Sequence, residues 1–594
     1  MDTMRRILLG MAVGLIIAGL MVSVITGVPG VLSPSITVMD LGGTSGLLAA
    51  GMLTGSVYAW LFRPTPGDHA EHLLTGLVMG LITWVVLSVN VLPALMGESP
   101  MWEVRSVRHF FPALVAYLFQ GSFIGLIYGL IYISVAKPWH LSEPEPSLAA
   151  PVATTRVVIV GGGYAGVYAA QTLERELGDV PNVGIWLVSD TNHLLHTPML
   201  SEVSASAVAA QHISPALRSF FRRVQVVQGY VERVDLEKRV INLTSGAHGA
   251  RKALSFDHLV LATGSVPDFF GNAGIEAHAR TFKSLGDAVL LRNQVIDVFE
   301  RADFEPDAHK RRSLLTFVVA GGGFAGVELI GALNDFARGM LPHYPNIAPE
   351  ELQLILVHAH ETILEELGES LGKYAQKKLE RRGVKFILGT RVTGAETGRV
   401  FLGERVLDAE TLVWTAGNRP SPLLETLGLP LTERCQIETS PEMAVPGTPG
   451  LWACGDCARI PDLATGGSCP PTAQHALREG KLLGHNVAAS IKGTPLKRFK
   501  YDALGSLAAL GYQVAVAEIL GFRFSGFLAW LMWRGIYLVK LPALDRQLRV
   551  GLDWLLDIFF PPDMVQTIGF SRVMTSDERA MGVEMREDAE DVTR

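Results

Sequence analysis

The sequence predicts an α/β protein with two Rossmann-like domains, preceded by four transmembrane helices and followed by an α-helical, membrane-associated C-terminal region. Three observations lead to this fold class. Two glycine-rich loops each follow a short apolar strand, about 160 residues apart. Four long stretches without charged residues occupy the N-terminal part. Near the C-terminus, aromatic and basic residues accompany apolar residues at helical spacing.

The composition excludes several classes of protein. The 594 residues are 48% hydrophobic and only 18% charged, whereas soluble domains contain about 25% charged residues. Four cysteines, all in the last third, are too few for a disulfide-stapled secreted domain. The net charge of −7 and the lack of a Lys/Arg-rich run argue against nucleic-acid binding. Basic and acidic residues balance in residues 1–137, so the negative charge belongs to the rest of the chain.

The four charge-free stretches are each at least 21 residues long, enough to cross a hydrocarbon core of about 30 Å as helices. They are Ile7–Gly27, Leu41–Phe62, Leu73–Met96 and Phe110–Ala136. A signal peptide is the alternative for the first stretch, but its apolar run is too long for one. The basic residues at the ends of the stretches predict a multi-pass protein of the cell membrane, with the remaining chain on the cytoplasmic face. No ionisable residue lies mid-span, which favours a packed anchor over a proton path.

The first glycine loop follows the β-rich run Arg156–Val160 and precedes a helical stretch. In such a loop Gly161 makes the tight turn, Gly163 lets the backbone approach a pyrophosphate, and Gly166 lets the helix pack on the strand. The next predicted strand ends at Asp190, 24 residues beyond Gly166, where a carboxylate can hold a ribose hydroxyl.

The same pattern recurs at Gly321, Gly323 and Gly326, behind the apolar strand Thr316–Ala320. One such loop is weak evidence, because glycines also make ordinary turns in α/β domains. Two copies, each between a strand and a helix, predict two dinucleotide-binding sites.

Three further apolar strands lead into small-residue turns, at Thr263 and Gly264, at Gly417, and at Gly455 and Asp456. This order resembles the two-dinucleotide-binding flavoproteins of the glutathione reductase type, over Thr155 to about Ser490. The resemblance implies that the first fold binds FAD, the second binds NAD(P)H, and the chain then returns to complete the FAD domain. It implies that Asp456 contacts the flavin ribityl chain. The helix after Pro471 would begin at the flavin, with Gln474 and His475 in its first turn.

The subfamily depends on the electron acceptor. No cysteine precedes Cys435, which weighs against disulfide reductases and sulfide:quinone oxidoreductases. The chain resembles the type II, non-pumping NADH dehydrogenases in three stretches: NHLLHTPMLSEV, GGGFAGVE and PTAQHALREGKLLGHN. The resemblance implies catalytic roles for Glu328, near the nicotinamide and flavin, and for Gln474, in a quinone signature whose second glutamine is Arg478 here. The alternative for Glu328 is a first-turn carboxylate that complements the helix dipole.

These inferences divide the chain into seven segments. They are a four-helix transmembrane domain (1–137), a Pro-rich linker (138–154), the first part of the FAD-binding domain (155–280), the NAD(P)H-binding domain (281–415), the second part of the FAD-binding domain (416–495), a C-terminal membrane-associated region (496–575) and a polar tail (576–594).

Within the C-terminal region, the stretch Phe522–Leu541 carries Trp530, Trp533 and Tyr537 but is interrupted by Arg534 before it could span a membrane. The stretch Asp545–Phe560 repeats apolar residues at helical spacing. This combination is typical of a helix that lies in the membrane interface. A helical hairpin packed on the protein's own surface is the alternative.

The expected function is membrane-bound, FAD-dependent oxidation of NADH with reduction of a membrane quinone, without proton pumping. The expected partners are NAD(P)H, quinone and the lipid bilayer, and a homodimer is an open alternative. His358 occupies the position where an NADH-preferring fold usually has an acid, which leaves NADPH as an alternative cofactor. No metal site is expected, although Cys454 and Cys457 in CGDC could form a redox or metal pair. The rival functions are a related flavoprotein with another donor or acceptor and a membrane nucleotide sensor.

Overall fold

The structure, a computed structural model, describes residues 3–27, 43–62, 69–91, 111–136, 154–178, 180–245, 249–463, 466–501, 505–557 and 560–566. The chain forms two compact units, Met1–Ala149 and Ala150–Arg594. Residues 138–153 of the predicted linker and the predicted tail 576–594 lie outside the described residues.

The first unit contains four described α-helices: α1 (Thr3–Gly27), α2 (Gly43–Leu61), α3 (His69–Trp84) and α4 (Phe111–Ala136). Glycines bring the helices into backbone contact, because a Cβ on Gly14 would lie 2.0 Å from the Gly51 oxygen and one on Gly76 would lie 2.2 Å from the Gly121 oxygen.

The third predicted stretch, Leu73–Met96, is not one α-helix, because α3 ends at Trp84 and continues as a π-helical segment, Val85–Val91. Within the described ranges, no helix combines the length and the apolar character needed to cross a membrane. The prediction of four transmembrane helices is therefore not supported.

The second unit is built on two five-stranded parallel sheets. The first sheet has the order β19-β7-β1-β2-β3. Its strands are β1 (Thr155–Val160), β2 (Val183–Ser189), β3 (Gln225–Gln228), β7 (His258–Leu261) and β19 (Leu451–Ala453). The strands β1, β2, β7 and β19 are short, apolar and largely buried, as expected for parallel strands, whereas the edge strand β3 is exposed at both ends. Helix α5 (Tyr164–Leu177) follows β1, and α12 (Ala473–Lys492) packs against it so closely that a Cβ on Gly480 would lie 2.2 Å from the Ala165 oxygen.

The second parallel sheet repeats this arrangement in the order β12-β11-β10-β16-β9. Its strands are β9 (Arg280–Thr281), β10 (Thr316–Ala320), β11 (Gln353–Val357), β12 (Val384–Ile387) and β16 (Thr411–Trp414). Helix α10 (Phe324–Met340) follows β10 directly. Two Rossmann-like folds are thus present, and the chain returns to the first one through β19 and α12, as the family resemblance implies.

Smaller sheets connect these folds. They are β4 (Tyr230–Asp235), β5 (Val240–Ser245) and β6 (Ala250–Ser255); β8 (Ser265–Pro267) with β17 (Asn418–Pro420); β13 (Gly394–Glu396), β14 (Arg399–Leu402) and β15 (Arg405–Asp408); and β18 (Ile437–Glu438) with β20 (Ala458–Arg459). The other described helices before residue 500 are α6 (Leu200–Ser204), α7 (Ala273–His278), α8 (Leu285–Phe304), α9 (Ala308–Leu314) and α11 (Glu369–Arg381).

The C-terminal region is a three-stranded antiparallel sheet followed by two helices. The strands are β21 (Gly505–Ala509), β22 (Ala515–Ile519) and β23 (Phe522–Gly526), and the helices are α13 (Phe527–Lys540) and α14 (Leu544–Leu556). The predicted stretch Phe522–Leu541 is therefore a strand and a helix. The strand forms because Phe522–Gly526 pairs along its length with β22, and Gly526, with a φ of +76°, precedes the helix.

Candidate active site

The first glycine loop has the space that a bound phosphate needs. Gly161 has a φ of +119°, and a Cβ there would lie 2.1 Å from the Ala262 oxygen. A Cβ on Gly166 would lie 1.9 Å from the Gly161 oxygen, so the helix can approach the strand only with glycine there. A Cβ on Gly163 would meet nothing within 4 Å. The loop is therefore open where a pyrophosphate would approach and closed where the helix packs.

The second loop repeats this geometry. Gly321 has a φ of +120°, a Cβ on Gly326 would lie 2.0 Å from the Gly321 oxygen, and one on Gly323 would meet nothing within 4 Å. His358, at the end of β11, accepts a hydrogen bond at Nδ1 from the Gly322 amide at 3.0 Å. The side chain that replaces the usual acid thus contacts the loop itself.

Asp190 lies one residue beyond the end of β2 and is exposed. Its Oδ1 accepts a hydrogen bond from the Thr191 amide at 2.9 Å. The carboxylate is thus held at the carboxyl edge of the first sheet, where a ribose would lie.

Three elements meet at Asp456, the residue after Gly455. Ser265 donates a hydrogen bond to Oδ2 of Asp456 at 2.6 Å, and Lys283 Nζ donates to Ser265 Oγ at 2.7 Å. Lys283 Nζ lies 3.9 Å from Asp456 Oδ2, and burial lowers the lysine's pKa. No motif drew attention to Lys283, because it lies 173 positions from Asp456 in the sequence.

The turns after β7 and β16 differ from each other. Thr263 and Gly264 follow β7, and a Cβ on Gly264, whose φ is +65°, would meet nothing within 4 Å. Gly417 follows β16, but a Cβ there would lie 2.7 Å from the Phe270 ring. The first turn therefore leaves space for a cofactor, whereas the second lies under an aromatic ring.

Helix α12 begins at the candidate flavin site with a side-chain cap. Thr472 Oγ1 accepts a hydrogen bond from the His475 amide. Both ends of the Gln474 amide are engaged: Nε2 donates to the Gly505 oxygen at 3.2 Å, and Oε1 accepts from the Tyr501 hydroxyl at 2.9 Å. Arg478, in place of the second glutamine of the signature, lies 4.0 Å from the centre of the Tyr501 ring.

Glu328 lies on α10 beyond its first turn. Oε1 of Glu328 accepts hydrogen bonds from the Ala509 amide and from Trp533 Nε1, both at 3.0 Å. Burial raises the pKa of Glu328 to about 8, and the nearby Glu202 contributes to the rise. The alternative of a first-turn carboxylate is wrong, because the first turn of α10 contains no acidic residue. The Glu328 carboxyl is instead held by the C-terminal region.

Glu202, which sequence reasoning missed, is a second, partly buried acid whose charge acts on Glu328. Its Oε2 accepts a hydrogen bond from Trp554 Nε1 at 2.7 Å, and burial raises its pKa to about 7. The guanidinium of Arg534 lies 4.6 Å from the Trp554 ring centre. The only sequence signal was the position of Glu202 within the stretch NHLLHTPMLSEV.

Cys454 and Cys457 are both buried, and burial raises the pKa of the Cys457 thiol to about 11. Cys457 Sγ contacts the oxygens of Leu261 and Cys454 at 3.4 Å and 3.3 Å. Among the described residues, no group of three or more His, Cys, Asp or Glu side chains is arranged to hold a metal ion. The two thiols have the character of small apolar core residues.

Comparisons with known proteins show what this chain is similar to. Residues 155–480 match the pyridine nucleotide-disulphide oxidoreductase family, and residues 504–562 match the NDH2 C-terminal domain. The type II NADH:quinone oxidoreductase Ndh of Mycobacterium tuberculosis is 30% identical over 430 residues, covering 70% of this chain and 90% of that protein. The demethylphylloquinone reductase NdbB of Synechocystis is 30% identical over 411 residues, covering 68% and 96%. The solved structure of NDH2 from Plasmodium falciparum in complex with NADH has the same fold, with a TM-score of 0.64 at 16% identity over 69% of this chain and 99% of that one.

Proposed function

This chain belongs to the type II NADH:quinone oxidoreductase family, and from that premise we propose that it binds FAD and transfers two electrons from NADH to a quinone. The reaction converts NADH, one proton and a quinone into NAD⁺ and a quinol. The observation that carries the proposal is the position of β21 between the two nucleotide folds. Its Gly505 oxygen accepts from Gln474, and its Ala509 amide donates to Glu328. One strand of the C-terminal region thus joins the two implied catalytic residues.

The residues of the first fold fit FAD because they leave a cradle that larger side chains would fill, at Gly163 and Gly264. In this proposal Gly161, Gly163 and Gly166 hold the pyrophosphate, and Asp190 holds the adenosine ribose. The other FAD contacts are Thr263, Gly264, Gly455, Asp456, Gln474 and His475. Bound there, FAD supplies hydride acceptance from the nicotinamide and onward transfer of two electrons.

The proposed role of the first turn of α12 is electrostatic. Backbone amides at a helix N-terminus stabilise negative charge, and Thr472 satisfies only one of them, the amide of His475. Lys283 also holds this loop, since it donates to Ser265, which in turn donates to Asp456. Hydride transfer depends on how the two nucleotides are oriented, and these residues supply that orientation. The proposed reaction therefore needs no covalent nucleophile.

NADH is proposed to bind at the second loop, through Gly321, Gly323 and Gly326, with Gly417 at the neighbouring turn. A 2′-phosphate would meet His358 in place of a repelling carboxylate. NADPH is therefore kept as an alternative donor.

Lipid attachment is proposed through the exposed apolar residues of the C-terminal region. Leu548, Leu552 and Leu555 are 40%, 55% and 52% exposed on one side of α14, and Leu528 and Leu531 are exposed on α13. Such an unpartnered apolar face suits a helix lying in a bilayer surface. The quinone would enter from this side, and the second unit would face the cytoplasm. A homodimer is not needed for this proposal.

One experiment tests the function. The full chain is purified in detergent, its FAD absorbance is measured, and NADH and NADPH oxidation is followed with a short-chain quinone. We expect NADH-dependent bleaching of the flavin and rapid reoxidation by the quinone. Bleaching without reoxidation by the quinone would refute the proposed acceptor.

Gln474→Ala separates the two halves of the reaction. We expect this variant to keep NADH-dependent bleaching and to lose most quinone turnover, because the family resemblance assigns Gln474 to the quinone signature. Sulfide in place of NADH is the control for the rival donor, and we expect no bleaching.

A further inference from the structure

His196 is a buried histidine with one unused ring nitrogen. It lies between β2 and α6 and is 2% exposed. Its Nδ1 lies 2.6 Å from the Tyr164 hydroxyl oxygen. Its Nε2 is buried and has no hydrogen-bond partner among the described residues. A polar atom left in this state costs stability, so its presence calls for an explanation.

The Tyr164 contact favours one position of the ring proton over the other. If Nδ1 carried it, Nδ1 would donate to Tyr164, and both the tyrosine hydrogen and the Nε2 lone pair would lack partners among the described groups. If Nε2 carries it, the Tyr164 hydroxyl donates to Nδ1, and only the Nε2 hydrogen lacks an acceptor. Burial together with Lys540 lowers the pKa of His196 to about 3, so the ring is neutral. His196 therefore presents one unsatisfied N–H donor.

The donor lies beside α13 of the C-terminal region. The Tyr537 ring centre is 6.2 Å from the His196 ring centre, as is that of Tyr164. Tyr537 packs on Trp533, the residue that donates to Glu328.

The same helix carries a charged residue near this donor. Lys540 is exposed and contributes to the lowered pKa of His196, and Tyr537, one turn earlier, is partly buried against the His196 ring. The donor is therefore buried close to residues of α13 that border the protein surface.

We propose that His196 Nε2–H donates a hydrogen bond to a carbonyl oxygen of the quinone. The inference rests on the proposed function and adds a residue to its acceptor site. The carbonyl oxygen gains negative charge as the quinone accepts electrons, so a fixed donor in a water-poor site stabilises the change. Tyr164 is a positioning residue, because its hydroxyl holds the ring in the Nε2–H tautomer. His196 keeps its proton and does not alter the overall balance of the reaction.

Two measurements test the proposal. First, binding of ubiquinone-1 to the oxidised holoenzyme is followed by quenching of tryptophan fluorescence. Second, the enzyme is reduced with dithionite, so that the NADH site is not used, and the rate of flavin reoxidation by ubiquinone-1 is measured. His196→Phe keeps an aromatic ring without the donor, and we expect about tenfold weaker binding and about tenfold slower reoxidation. His196→Gln restores an N–H donor, and we expect it to recover most of both.

Tyr164→Phe tests the positioning role. The ring stays, but the hydroxyl that fixes the tautomer is lost, so we expect a smaller rise in the KM for quinone with little change in the KM for NADH. His309→Phe, an exposed histidine exchange on α9, is the matched control. FAD content and the rate of NADH-dependent bleaching should stay within about twofold of wild type in all variants, since the proposal concerns only quinone.

Three results for His196→Phe would overturn the inference. The first is unchanged quinone binding and reoxidation, and the second is equal slowing of flavin bleaching and reoxidation. The third is loss of FAD with normal quinone binding, which would mean that the His196 N–H donates to the flavin. Failure of the proposed function itself is distinguishable, because the wild-type enzyme would then not be reoxidised by quinone at all.

Discussion

Glu328→Gln tests whether the Glu328 carboxyl holds a proton in the folded protein at neutral pH. Burial raises its pKa from 4.5 to about 8. Below pH 4.5 both the folded and the unfolded chain hold this proton, and the stability that it contributes is complete. Between pH 4.5 and 8 only the folded state holds it, so the free energy of unfolding falls as the pH rises, by about 1.4 kcal/mol per pH unit.

The amide side chain does not titrate, and its oxygen can accept the same hydrogen bonds from Ala509 and Trp533. For a rise of about 1.5 pH units within this range, we therefore expect the free energy of unfolding of Glu328→Gln to increase by about 2 kcal/mol relative to that of the wild type. The assay is urea unfolding of the FAD-loaded chain in detergent between pH 5.5 and 8, followed by tryptophan fluorescence. Glu404→Gln, in an exposed turn, is the matched control and should show a constant difference. A constant difference for Glu328→Gln as well would refute the buried, protonated carboxyl.

Three further changes have expected outcomes. Gly163→Ala should fold normally but retain at least about tenfold less FAD, because its Cβ meets no protein atom within 4 Å but blocks a phosphate. Gly166→Ala should also destabilise the apoprotein, because its Cβ would lie 1.9 Å from a backbone oxygen. FAD content and melting temperature distinguish the two. His358→Asp should raise the preference for NADH over NADPH by about tenfold, measured as the ratio of kcat/KM values, and an unchanged ratio would show that His358 does not face the 2′ position. Leu552→Glu should reduce turnover of a long-chain quinone in phosphatidylcholine vesicles and leave a short-chain quinone in detergent unaffected; equal loss with both would contradict the lipid-facing role of α14.

Much of the nucleotide-binding fold could be predicted from sequence because its signals are local. A glycine loop between a strand and a helix is a contiguous pattern, and the strands at Thr316–Ala320 and Thr411–Trp414 are found within the stretches where they were expected. The helix after Pro471 begins at Ala473 with Thr472 as its cap. In each case a few neighbouring residues determine the backbone conformation.

The N-terminal part shows where a local signal is insufficient. Charge-free stretches predicted helices at nearly the observed positions, but they did not predict the π-helical segment after Trp84. Hydropathy over a window records composition, whereas the hydrogen-bond pattern within the window decides where an α-helix stops. The same is true of Phe522–Gly526, where pairing with β22 overrides an apolar pattern that suggested a helix.

The sequence by itself determined two dinucleotide-binding folds, the return of the chain to the first one, and the candidate residues Glu328 and Gln474. Tertiary structure alone decided the environment of these residues. Glu202 meets Trp554, and His196 meets Tyr164 and Tyr537, across separations that no spacing rule covers. Burial raises the pKa of the Glu328 and Glu202 carboxyls and leaves the His196 N–H without an acceptor among the described residues. Both effects depend on which distant side chains exclude water from the site.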